Sequence, residues 1–175
     1  LRWHAAFDLY RLGAEAVALE SALGRVLAVA VRAPVDVPSF DRSNMDGFAV
    51  RAEDTYGASE LEPVRLRLNS ETIPTGISPS LVVEPGTATA IATGGVLPRG
   101  ADAVVMIEQT ELIDDAKHPG VEIRRVAAPG QFIAYAGSDM ARGETLLRRG
   151  AQIGWREIGM LAACGVAPAD VARKP

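Results

Sequence analysis

The sequence is short of several things that common chemistries need. It has one cysteine, Cys164, in 175 residues. That excludes an internal disulfide and a cysteine-built zinc site. Cys164 lies in an apolar stretch and reads as a buried structural thiol, which fits a reducing, cytoplasmic setting. The two histidines, His4 and His118, are isolated, so no histidine cluster is available to a metal. Aromatics make up 5% of the chain, too few to build stacking platforms for bases. A net charge of −4 gives no basic face for nucleic acid and no attraction to an anionic membrane. No apolar run reaches the length of a membrane-spanning helix, and no signal-peptide core follows Arg2 and His4. Neither a GxSxG elbow nor a GxxxxGK[ST] phosphate loop is present.

What is present is enough apolar residue, 48%, for a core without staples. Trp3, Phe7 and Tyr10 at helical spacing predict a helix over 2–12. Glu20 to Leu23 reads as a short helical turn, and Val26 to Val31 as a buried strand. Arg25, at their junction, is suited to hold a carboxylate or a carbonyl. Val64-Arg-Leu-Arg-Leu68 alternates and predicts a half-exposed strand. Leu81–Val83, Thr87–Thr93, Ala103–Ile107 and Val121–Val126 read as further strands, separated by Gly and Pro turns. Trp155 to Cys164 reads as a helix with Ile158, Leu161 and Ala162 on its buried side and Gly165 as its stop. The expectation is a mainly β protein with flanking helices, divided into a β-rich lobe over 38–139 and a small mixed lobe from 1–37 and 140–175.

The densest polar stretch is Pro38-Ser-Phe-Asp-Arg-Ser-Asn-Met-Asp-Gly-Phe-Ala-Val50. Asp41 and Asp46 lie five residues apart in a turn that leads into an apolar strand. Such a turn either presents a site on a rigid support or satisfies its own backbone through Asp and Asn side chains. Thr93-Gly94-Gly95 forms a second turn, which can offer N–H groups to an anion or serve as a tight hairpin. Asp139 follows a glycine and a serine in a third turn. Asp41, Asp46 and Asp139 together would suit a hard cation such as Mg²⁺, provided they meet in space.

The stretch from Pro38 to Arg51 resembles the signature of the molybdopterin molybdenumtransferases, the MoeA and gephyrin E-domain family. Ala92-Thr-Gly-Gly-Val-Leu-Pro-Arg-Gly-Ala-Asp-Ala-Val-Val-Met-Ile-Glu108 is similar to that family's second block. Ala22–Ala28 and Gly150–Gly165 resemble its flanking helices. The resemblance implies a lobe of coiled, branched β-sheets, a small mixed lobe made from both ends, and a homodimer. It also implies insertion of molybdenum from molybdate into adenylated molybdopterin, with Mg²⁺, at a site shared between subunits. The implied catalytic positions are Asp46, Thr93 and Asp139. Asp46 is the implied metal ligand, and Ser43, Gly94 and Gly95 line the ligand. A pterin-binding domain is expected after Pro175, and without it the chain should lack the main ligand pocket.

Two features depart from the family pattern. Phe132-Ile-Ala-Tyr-Ala136 stands where arginines usually precede a Gly-Glu-Asp turn, and Ser138 stands in place of the Glu. Arginine is the residue suited to oxyanions. A non-catalytic dimerisation or regulatory module on the same scaffold is therefore the competing expectation.

Overall fold

The computed structural model describes residues 13–113, 115 and 117–174. The helix expected over 2–12 lies outside them. The strands in chain order are β1 (Ala14–Val17), β2 (Val31–Arg32), β3 (Arg42–Ser43), β4 (Gly47–Val50), β5 (Val64–Ile73), β6 (Thr87–Ile91), β7 (Ala103–Met106), β8 (Thr110–Ile113), β9 (Gly120–Ile123), β10 (Ile133–Ala134), β11 (Thr145–Leu147) and β12 (Ala169–Ala172). Among the described residues there is one α-helix, α1 (Trp155–Ala163). The protein is mainly β, and no described helix is long and apolar enough to cross a membrane. The chain divides into two compact units: Leu1–Val37 with Met140–Pro175, and the continuous segment Pro38–Asp139.

The continuous unit is built on a six-stranded sheet in the order β7-β4-β6-β5-β9-β8. All of its pairings are antiparallel except β5 with β6. β4 is an interior strand and all four of its residues are buried, with core on both sides. Phe48 and Val50 pack with Leu66, Ala88, Val105, Val121 and Ile123. Ala49 faces the other way, into Ile73, Ile91, Val104 and Ile133. Each large side chain so buried contributes about 1.5–3 kcal/mol. Gly47 has no room for a side chain: a Cβ there would lie 1.9 Å from the Val105 carbonyl oxygen.

The unit made from both chain ends pairs β1 with β12 and β2 with β11. Leu19, Leu27, Ile153, Leu161 and Val171 form its core. Glu157 accepts the Gly154 N–H at 3.0 Å and secures the start of α1. At the other end, Gly165 at φ +69° lets its N–H reach the Ala162 carbonyl and the Val166 N–H reach the Leu161 carbonyl. These paired bonds terminate the helix. Arg25 donates to the Ala172 carbonyl at 2.7 Å and pairs with Glu15, tying the junction to β12 and β1.

Some local expectations fail for identifiable reasons. Val26–Val31 is not a strand. Val26 bridges to Gln152, while the next residue, Leu27, bridges to Val171, so the segment changes partner before a ladder can grow. The helical turn near Glu20 is a 3₁₀ turn, Leu19–Ser21, rather than one of the flanking helices. Leu81–Val83 forms no strand, although Val83 is buried and donates its N–H to Arg99. On α1, Leu161 is buried but Ala162 faces solvent. β5 runs on to Ile73, through residues whose composition reads as loop.

Candidate functional site

The antiparallel register of β4 against β6 pairs Gly47 with Ile91. Asp46, one residue before Gly47, and Thr93, two residues after Ile91, therefore emerge side by side at one end of the sheet. Asp46 Oδ1 accepts the Thr93 backbone N–H at 2.7 Å and the Thr93 hydroxyl at 2.9 Å. These bonds, the backbone one first, hold the Asp46 carboxyl below the usual carboxylate range despite a smaller opposing desolvation. Asp46 is an exposed, fixed anion, and among the described residues its Oδ2 takes no hydrogen bond. The Asp46 carbonyl accepts the Ile107 N–H at 3.0 Å, which ties the turn to β7.

The stretch before Asp46 is held by the segment that lacks arginines. β3 pairs with β10, and the Asn44 N–H donates to the Phe132 carbonyl. The Ala136 N–H donates to Asp41 Oδ1 at 2.8 Å, and the Gly137 N–H to the Pro38 carbonyl. Residues 132–137 are thus a backbone partner of the 38–44 turn. Phe132 adopts φ +56°, an unusual conformation for a non-glycine residue. Asp41 serves this junction and is not a free carboxylate.

The donors of the second turn are engaged within the protein. The Thr93 N–H and hydroxyl are both committed to Asp46. The Gly94 N–H donates to the Ser43 carbonyl and the Gly95 N–H to the Ala92 carbonyl, both at 2.8 Å. None of these donors is left for an oxyanion in this conformation. The glycines answer steric needs instead. Gly94 sits at φ +80°, and a Cβ on Gly95 would lie 2.9 Å from the carbonyl oxygens of Ala92 and Ile73. Ser43 is also turned inward: it is buried, and its Oγ donates to the Met45 carbonyl at 2.6 Å.

Asp139 is exposed and shares no hydrogen bond with Asp46 or Thr93. No group of three or more His, Cys, Asp or Glu side chains placed to hold a metal occurs among the described residues. Asp41, Asp46 and Asp139 are thus not gathered into one such group. Mg²⁺ prefers six oxygens in near-octahedral array. Waters and substrate oxygens commonly supply most of these, with one or two carboxylates from the protein.

Beside Asp46 the sheet opens into a groove of about 460 Å³ that composition did not disclose. Its walls include Phe48, Leu68, Ala90, Ile107 and Leu112, with Asp46 and Thr72 among the polar lining. Ile107 and Leu112 are more than half exposed, unusual for large aliphatic residues beside a charged group. An apolar trough with one fixed carboxylate can hold a flat organic body and accept a proton or hydrogen bond from it.

Comparison with known proteins agrees with the mainly β fold described above. The family model described as MoeA N-terminal region (domain I and II) matches residues 2–165. Molybdopterin molybdenumtransferase 2 of Mycobacterium tuberculosis is 43% identical over 155 residues, covering 89% of this chain and 37% of that protein. Molybdopterin molybdenumtransferase of Bacillus subtilis is 40% identical over 161 residues, covering 92% and 37%. Two solved structures of the molybdopterin biosynthesis MoeA protein of Pyrococcus horikoshii align with TM-scores of 0.86 and 0.84 at 38% and 39% identity. They cover 95% and 93% of this chain and 42% of each of those chains. The chain thus spans well under half the length of its relatives, but the match runs through both compact units and through the turns that join Asp46 to Thr93. It belongs to the MoeA N-terminal region family.

Proposed function

We propose that this chain is the amino-terminal part of a molybdopterin molybdenumtransferase. In the full-length protein it supplies one wall of the site where molybdenum passes from molybdate into adenylated molybdopterin. The observation that carries this reading is Asp46: an ionised carboxylate, fixed on one oxygen by Thr93 and free on the other, at the rim of an apolar groove. Asp46 and molybdate are both negative, so they share a site only with a proton or a cation between them. Asp46 accordingly acts on a protonated group of the ligand. Thr93 positions Asp46 and keeps it charged rather than touching the oxyanion. The remaining ligand contacts belong to other parts of the full-length protein.

The experiment is Asp46→Asn in the full-length protein. The amide oxygen can still accept both Thr93 donors, so the melting temperature should barely move while molybdenum insertion is lost. Normal insertion by a folded Asp46→Asn variant would end the proposal. Absence of insertion by the unaltered full-length protein would favour the second reading, a non-catalytic module, which rests on the absence of arginine from 132–136. We also propose that the protein works as a homodimer. Exposed Leu61, Tyr56 and Trp155 are the kind of large side chains that a partner covers. Light scattering at micromolar concentration checks this, and a strict monomer counts against it.

A further inference from the structure

The order β4-β6-β5 puts three strand ends side by side at the rim where Asp46 meets Thr93. β6 pairs antiparallel with β4 and parallel with β5. The parallel register sets Ile73 beside Ile91, and the Ala92 N–H donates to the Ile73 carbonyl at 3.0 Å. Thr75 and Thr93 each stand two residues beyond that pair, so they emerge together. Thr93 therefore has Asp46 on one side and Thr75 on the other.

The contacts follow that placement. Thr75 Oγ1 donates to the Thr93 carbonyl at 2.8 Å. Its Oγ1 and Cγ2 also stand 3.2 and 3.5 Å from where a Cβ on Gly94 would lie, so the side chain covers the bare face of that glycine. The Gly94 N–H, at the other end of the same peptide unit, donates to the Ser43 carbonyl. The Thr93–Gly94 peptide is thus held at both ends, and hydrogen bonds aligned through one peptide strengthen each other. All the hydrogen-bonding groups of Thr93 are then in use: its N–H and hydroxyl on Asp46, its carbonyl on Thr75.

The segment that carries Thr75 is braced. The Ile77 N–H reaches the Pro74 carbonyl at 3.4 Å around Gly76, whose φ of +83° suits glycine. Farther on, Glu71 of β5 draws the segment back to its own strand. Its Oε1 accepts the Ser80 N–H at 2.8 Å and the Ser80 hydroxyl at 2.9 Å, and its Oε2 accepts the Leu81 N–H at 2.9 Å. The segment leaves β5 at Pro74 and is returned to it at Ser80 and Leu81. A threonine on such a braced support loses less freedom in holding a carbonyl than one on a loose loop.

We propose that Thr75 is a positioning residue for Asp46, acting through Thr93. The role rests on the reading of Asp46 as the acting group of the transferase site. The test uses the full-length protein. Thr75→Val keeps the methyl against Gly94 and removes only the donor, whereas Thr75→Ser keeps the donor. In the Val variant kcat for molybdenum insertion should fall about two- to tenfold at unchanged KM, the weight of one hydrogen bond. The Asp46 carboxyl, followed by carbon NMR, should titrate higher and nearer 3.8, because its Thr93 donors are less firmly held. The Ser variant should return both readings to those of the parent, since it restores the one bond in question. Where Asp46→Asn abolishes insertion, a Val variant with parental kcat or an unmoved Asp46 titration overturns the role and leaves the transferase reading standing. An equal change in the Val and Ser variants overturns it too. If the parent inserts no molybdenum, or Asp46→Asn inserts it normally, the transferase reading falls, and the Asp46 titration alone decides whether Thr75 positions Asp46.

Discussion

Replacing Gly47 with alanine should damage the sheet beside the site, and the expected cost can be worked out. The added methyl would stand 1.9 Å from the Val105 carbonyl oxygen and 2.9 Å from its carbon. A carbon–oxygen contact is comfortable at about 3.3 Å or more, so β4 and β7 must part locally by roughly 1.4 Å. The obstacle is backbone, which no rotamer change relieves. Separation on that scale takes the bond from the Ile107 N–H to the Asp46 carbonyl, 3.0 Å long, out of range. Overpacking strain of about 1–3 kcal/mol and one broken backbone bond of about 1–3 kcal/mol sum to about 4 kcal/mol. For a chain of this size that lowers the melting temperature by about 8–16 °C. Thermal unfolding followed by circular dichroism measures it. Gly159→Ala is the control: nothing lies within 4 Å of a Cβ there, and the position is inside α1. Alanine should stabilise it by up to about 1 kcal/mol. If Gly47→Ala melts within about 2 °C of the parent, the β4–β7 packing that places Asp46 is wrong.

Two further outcomes are expected. Thr93→Val removes the hydroxyl but keeps the backbone donor, so the Asp46 pKa should rise part of the way toward 3.8, as read by carboxyl-carbon NMR during a pH titration. Because the folded pKa is depressed, the stabilisation from Asp46 is present above 3.8 and is lost as pH falls through the folded value, and Thr93→Val should narrow that acid window. Thr55→Val should cost about 1–3 kcal/mol in urea unfolding, since the buried Thr55 hydroxyl oxygen accepts the Ala127 N–H at 2.9 Å and valine leaves that donor unpaired.

The strands that alternation revealed are those with a buried and a solvated face, or with apolar runs between Gly and Pro turns. Val64–Leu68, Thr87–Ile91, Ala103–Met106 and Val121–Ile123 are of this kind, and α1 was equally legible from its period and from Gly165. The two- to four-residue pieces β1, β3 and β8 were not, because so short a strand is specified by its partner rather than by its own pattern. The 26–31 run misled because it is apolar without having one continuous partner. At the site, spacing alone could not join Asp46 to Thr93; the family likeness singled out both residues, and the β4–β6 register supplies the physical contact. The sequence also could not reveal that the Gly94 and Gly95 amides bond inward. Whether a backbone donor is free is decided by tertiary pairing, not by residue type.

The pairing of β1 with β12 sets a schedule during synthesis. Ala14 leaves the ribosome early and must wait for Ala172, its partner in the ladder. At about 5–20 residues per second that delay is on the order of 8–30 s. The segment from Pro38 to Asp139 holds its whole six-stranded sheet within itself and can complete its core while the first strand is still waiting. For that interval β1 is an open strand edge with Val17 among its residues, available to any other nascent chain nearby. Slow translation anywhere between Ala14 and Ala172 should therefore raise aggregation, in proportion to the delay it adds.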